Sequence, residues 1–395
     1  MKRIFIPESA EKIINALKAA GHEAYIVGGC VRDALLGRSA YDYDITTSAL
    51  PEETKAIFKK TFDTGISHGT VTVISDGVPY EVTTFRIDGE YADCRHPVSV
   101  SFTKNVEFDL ARRDFTVNAL CYNHETGIID AFDGVRDLNN KIIRAVGDPE
   151  LRFSEDALRV FRAIRFSATL GFEIEENTKR AIFEYKENLK NVSVERIYAE
   201  WKKLLGGTYS YDVIEEYNDV IAVCIPELKG LKLPNRVGFE RLNAEEKQIA
   251  LFAKRGKENF FSALQRLKVD NKTKAFGLSV ITHLDLSDSM TDVDLKLYLQ
   301  QIADEEALTA AKICSALGIC SDEVYYRLNF LISTNTPRRI SQLAISGNEL
   351  LLEGYKGEEI GIMLNNILML VAKGELANEE KALLSYVKSA KQSNE

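Results

Sequence analysis

Asp42 and Asp44 stand one residue apart in the segment YDYDIT, which reads as a β-strand. Side chains alternate along a strand, so both carboxylates project from the same face. Two carboxylates side by side raise each other's pKa unless a cation holds them. Mg²⁺ takes oxygen ligands and prefers one or two carboxylates together with substrate phosphates. A pair of such ions about 3.5–4 Å apart could activate an attacking hydroxyl and stabilise a departing pyrophosphate. Glu81, in PYEVTTF, is the candidate third ligand. A DxD by itself is weak evidence, because acidic pairs on surface loops are common.

Upstream, IVGGCVRDALLG reads as a strand, two glycines and a helix. Gly28 and Gly29 permit close backbone approach to a ligand. The start of the following helix offers free N–H groups and a positive dipole end to phosphate. Arg32 adds a guanidinium fork for phosphate oxygens. An isolated glycine pair is most often a plain turn. Here it precedes the DxD by one short helix, which is where a triphosphate would have to be held.

These groups need a scaffold. Residues 8–20 show helical apolar spacing, with Gly21 placed to stop the helix. A strand (AYIVGG), a helix (VRDALLG) and the strand around YDYDIT follow. PEETKAIFKKTF reads as a helix with Pro51 at its start. Residues 69–87 alternate and are rich in Val and Thr, with a turn at Asp76-Gly77, which predicts a β-hairpin. From Asp148 onward DALRVFRAIRFSATLGF, NTKRAIFEYKENLKN and VERIYAEWKKLL are helical, and helices continue to the end. The layout is α+β, with the mixed part first and joints expected near 147–150, 206–210 and 330–338.

The 395 residues are 45% hydrophobic and 28% charged, enough for roughly two to four compact units. A net charge of −9 argues against a general nucleic-acid binder, although binding depends on local patches and not on the sum. Cysteines at 30, 94, 121, 224, 314 and 320 include no CxxC and no zinc spacing, and read as free thiols of a reducing compartment. The start MKRIFIPESAEKI lacks the apolar core of a signal peptide, and no apolar run reaches the ~20 residues needed to span a bilayer. A soluble, cytoplasmic protein with no membrane partner is expected. Monomer and homodimer are both left open.

GGCVRDALLG followed by YDYDIT resembles the signature of class II CCA-adding enzymes and bacterial poly(A) polymerases, relatives of DNA polymerase β. RRDFTVNAL, residues 112–120, is similar to their ribose-recognition motif, and SEDALRVFRAIRF, residues 154–166, to their nucleotide-selecting motif. VERIYAEWKKLL, residues 194–205, resembles a further neck motif. LAISGNELL and GEEIGIMLNNILMLVAKGEL resemble the tail of bacterial CCA-adding enzymes. The resemblance spans nearly the whole chain. It implies a mixed α/β nucleotidyltransferase head over 1–147, a helical neck over 148–207, and a helical body (208–330) and tail (331–395) that bind tRNA. It also implies template-independent addition of CCA to the tRNA 3′ end from CTP and ATP, with Mg²⁺. Carried over, Asp42 and Asp44 are the metal ligands and Glu81 a third carboxylate. Gly28, Gly29 and Arg32 lie on the part that holds the nucleotide. Arg112, Arg113, Asp114 and Asn118 fall on the motif that contacts sugar and phosphates, and Asp114 and Asn118 could bind the 2′- and 3′-hydroxyls.

Base choice can be argued from chemistry. Asp156 and Arg159 are three apart on a predicted helix and so share a face. Elsewhere such a pair is a helix-end charge and a surface ion pair. Cytosine and adenine each offer an amino donor beside a ring-nitrogen acceptor. A carboxylate can accept from the first while a guanidinium donates to the second. Uracil and guanine present the reverse order, and each buried polar group left unpaired costs roughly 1–3 kcal/mol. Arg162 and Arg165 would hold the site or contact phosphate, while Leu158, Phe161 and Ile164 read as core.

A poly(A) polymerase shares the catalytic motifs, but no arginine-rich GRRF-like segment is present. CC-only relatives lack a flexible loop that FRIDGEYADCRHPVSVSF, with Asp88, Arg95 and His96, supplies here; A-only activity is harder to separate. An RNA-binding protein with a dead head would have lost Asp42, Asp44, Asp156 or Arg159. A phosphohydrolase module needs a His-Asp cluster that THLDLSD does not make. Basic stretches at 252–274 and around Arg338-Arg339 are the candidates for tRNA phosphate.

Overall fold

The computed structural model describes residues 3–40, 42–89, 99–334 and 337–392. The loop residues Arg95 and His96 singled out above lie outside the described residues; Asp88 lies within them. The chain divides into two compact units, Met1–Gly230 and Leu231–Glu395.

In the first unit, α1 (Glu8–Ala19) buries Ala10, Ile13, Ile14 and Leu17, one stripe of a 3.6-residue period, and ends before Gly21 at φ +90°. β1 (Ala24–Val27) is buried along its whole length. It is followed by α2 (Gly29–Leu35), β2 (Asp44–Thr47), α3 (Pro51–Ile57), β3 (Thr61–Gly65), β4 (Thr70–Ser75) and β5 (Val78–Thr84). The β4–β5 hairpin closes through Asp76 at φ +51° and Gly77 at φ +82°, the paired left-handed conformation that matches the twist of the strands. β6 (Arg86–Asp88) and β7 (Val100–Phe102) form a separate two-stranded ribbon. α4 (Val106–Ala111) carries the chain to β8 (Cys121–Asn123) and β9 (Gly127–Ile129), and α5 (Gly134–Asn140) follows. The seven-stranded sheet runs β3-β4-β5-β2-β1-β8-β9. Among the described residues its only parallel neighbours are β2 and β5, so the sheet is mixed.

One predicted helix ends early and another begins late. The helix expected through PEETKAIFKKTF stops at Ile57, and Thr61–Gly65 becomes edge strand β3, paired with β4 through Thr61↔Val73 and Phe62↔Thr72. Sheet hydrogen bonds available beside β4 outweigh the weak helical preference of a Thr-Phe segment. The long helix expected from Asp156 is also preceded by another: α6 (Pro149–Glu155) and α7 (Leu158–Leu170) meet at Asp156, whose backbone is extended at φ −136°, ψ 101°. α8 (Glu176–Tyr185), α9 (Val194–Leu205), α10 (Ser210–Glu216) and α11 (Asn218–Cys224) complete the helical part of this unit. α9 packs on α7, with Ile197, Trp201, Leu204 and Leu205 buried.

Among the described residues the regular elements of the second unit are all helices, from Arg236–Glu240 to Glu380–Gln392. One cluster of its core joins Leu350, Leu364, Ile367, Leu383 and Val387. No helix among the described residues is long and apolar enough to cross a membrane.

Candidate active site

β2 is the hub of the sheet. Its first residue, Asp44, lies opposite Val27 at the end of β1, so the carboxylate meets the chain where Gly28 begins the turn into α2. On its other side β2 pairs in parallel with β5 through Ile45↔Val82, which sets Glu81 level with Asp44. Asp42 precedes the strand and does not form part of it, a correction to its expected place. Asp42, Asp44 and Glu81 are all exposed. Surrounding protein pushes the Asp44 carboxyl up from its ordinary value, even though the residue as a whole stays exposed. The Asp42 charge adds to this, Glu81 contributes less, and Arg113 opposes it. Among the described residues no lysine or arginine forms an ion pair with Asp42, Asp44 or Glu81. Nor does any group of three His, Cys, Asp or Glu converge into a preformed metal cluster there. The donor set is therefore an uncompensated two-carboxylate pair with an open side. That suits Mg²⁺, which retains water or phosphate oxygens in its remaining positions.

Gly28 takes φ +81°, and a Cβ placed on it would stand 3.1 Å from Nη1 of Arg113. The glycine thus lets Arg113 approach the turn, besides supplying a conformation other residues resist. Gly29 has an ordinary φ and opens α2, a helix of seven residues. Arg32 departs from expectation. It is buried, and its guanidinium is engaged by the protein: Nη1 donates to Oδ1 of Asn118 at 2.5 Å, and Nε and Nη2 donate to Asp33 at 2.9 and 3.0 Å. A phosphate would have to displace these bonds or use what lies beside them.

Asn118 passes the connection on, donating from Nδ2 to Oδ1 of Asp114 at 3.1 Å. The other Asp114 oxygen accepts from Nε and Nη2 of Arg162 at 2.8 and 2.5 Å. Arg162 also faces Glu200 at 3.8 Å, and Glu200 accepts from Nε of Arg165 at 2.8 Å. Three guanidiniums, those of Arg32, Arg162 and Arg165, lie over the Phe166 ring at 5.2, 5.4 and 3.4 Å from its centroid. The structure thereby gathers five predicted residues, Arg32, Asp114, Asn118, Arg162 and Arg165, into one network. Burial alone would push the Asp114 carboxyl up; the Arg162 charge and the Asn118 and Arg162 hydrogen bonds hold it well below the usual range. A depressed folded-state pKa gives stability that is present above the unfolded value, roughly pH 4, and lost as pH falls through the lower folded one. Asp114→Asn should therefore lower the thermal midpoint by a constant amount near neutrality. The gap to wild type should hold from pH 7 down to about pH 4 and begin to narrow only below it, as melting curves from pH 7 to pH 3 would reveal.

The RR of RRDF is not a solvated charge run. Arg112 donates from Nε and Nη2 to Oδ1 of Asp109 at 2.9 and 2.7 Å, and Arg113 from Nη2 to Oδ2 at 3.3 Å. Asp109 is fully buried and was missed in the sequence, although its spacing of three and four residues from the arginines was the available signal.

Asp156 and Arg159 do not share a helix face, because Asp156 sits in the joint between α6 and α7. Its carboxylate caps the backbone N–H of Leu158 at 3.1 Å and accepts the fork of Arg196, Nη2 to Oδ2 at 2.8 Å and Nη1 to Oδ1 at 3.3 Å. Arg159 is buried and bonded elsewhere: Nη1 to Glu155 at 2.6 Å and to the Arg152 carbonyl, Nη2 to the Arg112 carbonyl at 2.8 Å. Glu155, Arg196 and Glu200 are thus bonding partners of the predicted site residues that sequence reasoning did not find. In the second unit, Lys254, Arg255, Lys257, Arg266, Lys268 and Lys272 are exposed on and around Lys257–Arg266 and Asn271–Thr282. Arg338 is instead bound to Asp304 at 2.8 Å and largely covered.

A mixed sheet that carries paired carboxylates beside a glycine turn, followed by helices bearing an Asp/Arg network, defines a nucleotidyltransferase with a polymerase-type head. Residues 24–144 match the family described as "Poly A polymerase head domain", and residues 171–222 that described as "Probable RNA and SrmB- binding site of polymerase A". The CCA-adding enzyme of Lactobacillus helveticus is 38% identical over 388 residues, 96% of either chain. That of Streptococcus thermophilus is 36% identical over 99% of this chain and all of its own. The crystal structure of the Bacillus stearothermophilus CCA-adding enzyme in complex with CTP superposes with a TM-score of 0.84 at 33% identity, covering 99% of each chain. The chain belongs to the CCA-adding enzyme family, whose nucleotidyltransferase class generally uses divalent metal ions.

Proposed function

We propose that the chain extends the tRNA 3′ end by C, C and A in turn, using CTP and ATP and releasing pyrophosphate. The observation that carries this is the placement, within one compact unit, of the Asp42–Asp44 pair and the Asp156–Arg159 neighbourhood, in a chain alignable end to end with CCA-adding enzymes. In our reading Asp42 and Asp44 hold Mg²⁺, with Glu81 beside them. The ion when bound supplies positive charge to the attacking 3′-hydroxyl and the departing pyrophosphate. Gly28 and Gly29 let the backbone approach the triphosphate, and Arg112 and Arg113 reach its oxygens from their anchor on Asp109. Asp114 and Asn118 face the ribose. Asn118 Oδ1 retains an acceptor direction beside its bond from Arg32, whereas Asp114 already accepts from the Phe115 N–H, Asn118 and both donors of the Arg162 fork, so a ribose hydroxyl must replace one of these bonds. Arg162 and Arg165 keep the two in place. Asp156 accepts from the amino group of cytosine or adenine, and Arg159 donates to the ring nitrogen after exchanging one of its present partners. The head (1–147), neck (148–207), body (208–330) and tail (331–395) are the working parts. The exposed basic residues of 254–272 take tRNA phosphate, and the enzyme works in the cytoplasm.

Incorporation with Mg²⁺ tests the reading. tRNA ending at the discriminator base, in C or in CC, and an oligoadenylate primer would each be offered CTP, ATP or both. Two C additions and one A on tRNA, with little action on the primer, are expected. Long A tails on the primer would make the chain a poly(A) polymerase. Arrest after CC, or a requirement for CC at the start, would make it half of a split pair.

A further inference from the structure

α9 carries the neck motif VERIYAEWKKLL, to which the proposed reaction gives no task. Two of its residues, Arg196 and Glu200, stand one turn apart on one face and grip the nucleotide-selecting segment at two points. Arg196 holds Asp156, and Glu200 holds Arg165 while facing Arg162. We infer that Arg196 is a positioning residue for base selection, fixing the Asp156 carboxylate so that a single acceptor direction is left for the incoming base. The inference rests on the reading of Asp156 as the acceptor for the base.

An ionised carboxylate has about four acceptor directions. Three are taken here: Oδ1 accepts from the Leu158 N–H and from Nη1 of Arg196, and Oδ2 accepts from Nη2 of Arg196. The one remaining lies on Oδ2. Both partners keep some access to solvent, 18% for the Asp156 side chain and 26% for that of Arg196, so a base can reach it. A two-point fork prevents rotation of the carboxylate in a way that a single hydrogen bond cannot. With the fork in place, a base that presents an oxygen instead of an amino group meets a fixed lone pair. Without it, the carboxylate can turn away or admit a bridging water, and rejection of uracil and guanine weakens. Arg196 comes from a helix forty residues along the chain, so the setting of Asp156 depends on how α9 packs on α7.

The test uses the full chain with tRNA ending at the discriminator base, and compares kcat/KM for CTP and UTP. Arg196→Ala should reduce the preference for CTP over UTP about tenfold, with the loss for CTP falling mainly on KM. Arg196→Lys, which keeps the charge but loses the fork, should lie between it and wild type. In an Asp156→Ala background Arg196→Ala should add no further loss of selection. Thermal melting of each variant checks folding, and Arg196→Lys carries the test where Arg196→Ala melts early. Preserved selection in both Arg196 variants, with selection lost in Asp156→Ala, overturns the role of Arg196 and leaves the reading of Asp156 standing. An equal fall in kcat for CTP and UTP also overturns it, since that marks a merely structural contact. Preserved selection in Asp156→Ala removes both.

Discussion

Asp44→Ala is expected to lower nucleotide incorporation with Mg²⁺ about a thousandfold or more, without unfolding the protein. The reasoning is electrostatic. Asp44 is exposed, makes no ion pair among the described residues, and is pushed up by surrounding protein and by the charge of Asp42. A group held against its neighbours in this way contributes little or nothing to stability when no cation is bound. Removing it should leave the metal-free melting midpoint unchanged or slightly raised, while depriving the ion of a ligand. Primer extension with labelled CTP, paired with thermal melting in a chelator, separates the two effects. A variant that keeps most of its activity would take Asp44 out of the ligand set. A variant that melts much lower would make it structural. Asp42→Ala should behave alike.

The second large effect is on stability. Asp109→Ala should cost about 3 kcal/mol and also depress incorporation. Asp109 is fully buried and accepts from Arg112, Arg113 and Thr46. Burial alone would push its carboxyl up; the two arginines outweigh this and hold it below the ordinary value. Deleting one member of such a group leaves the others without compensation in a poorly solvated place. Arg113 would also lose the anchor that holds it against Gly28, so the phosphate side of the site should loosen. Urea unfolding measures the first effect and the KM for CTP the second. A stability loss below about 1 kcal/mol would place the pair among ordinary surface bridges.

Local patterns were enough for much of the fold. The hairpin at Asp76-Gly77, the apolar stripe of α1, and the order of a mixed domain followed by helices all follow from interactions within a few residues. So do the paired carboxylates, whose spacing of two is visible without a structure. The boundaries were less legible. Whether Thr61–Gly65 is helix or strand depends on β4 being free to pair with it, which is not a property of the segment. The break at Asp156 depends on its capping of Leu158 and its hold on Arg196.

The sequence by itself determined which residue types this protein has for its chemistry: two carboxylates for a cation, glycines for a close turn, and arginines and aspartates for sugar and base. It also determined the family, because motif order and spacing survive translation into one dimension. Only the tertiary structure decided who holds whom. Arg32 is bonded to Asn118 eighty-six residues away, Arg162 to Asp114 forty-eight away, and Arg196 to Asp156 forty away. Hydrogen bonds and ion pairs act over a few ångströms of space and are indifferent to separation along the chain. A side chain's partner is therefore set by the packing of α7, α9 and the sheet, and no spacing rule along the sequence contains it.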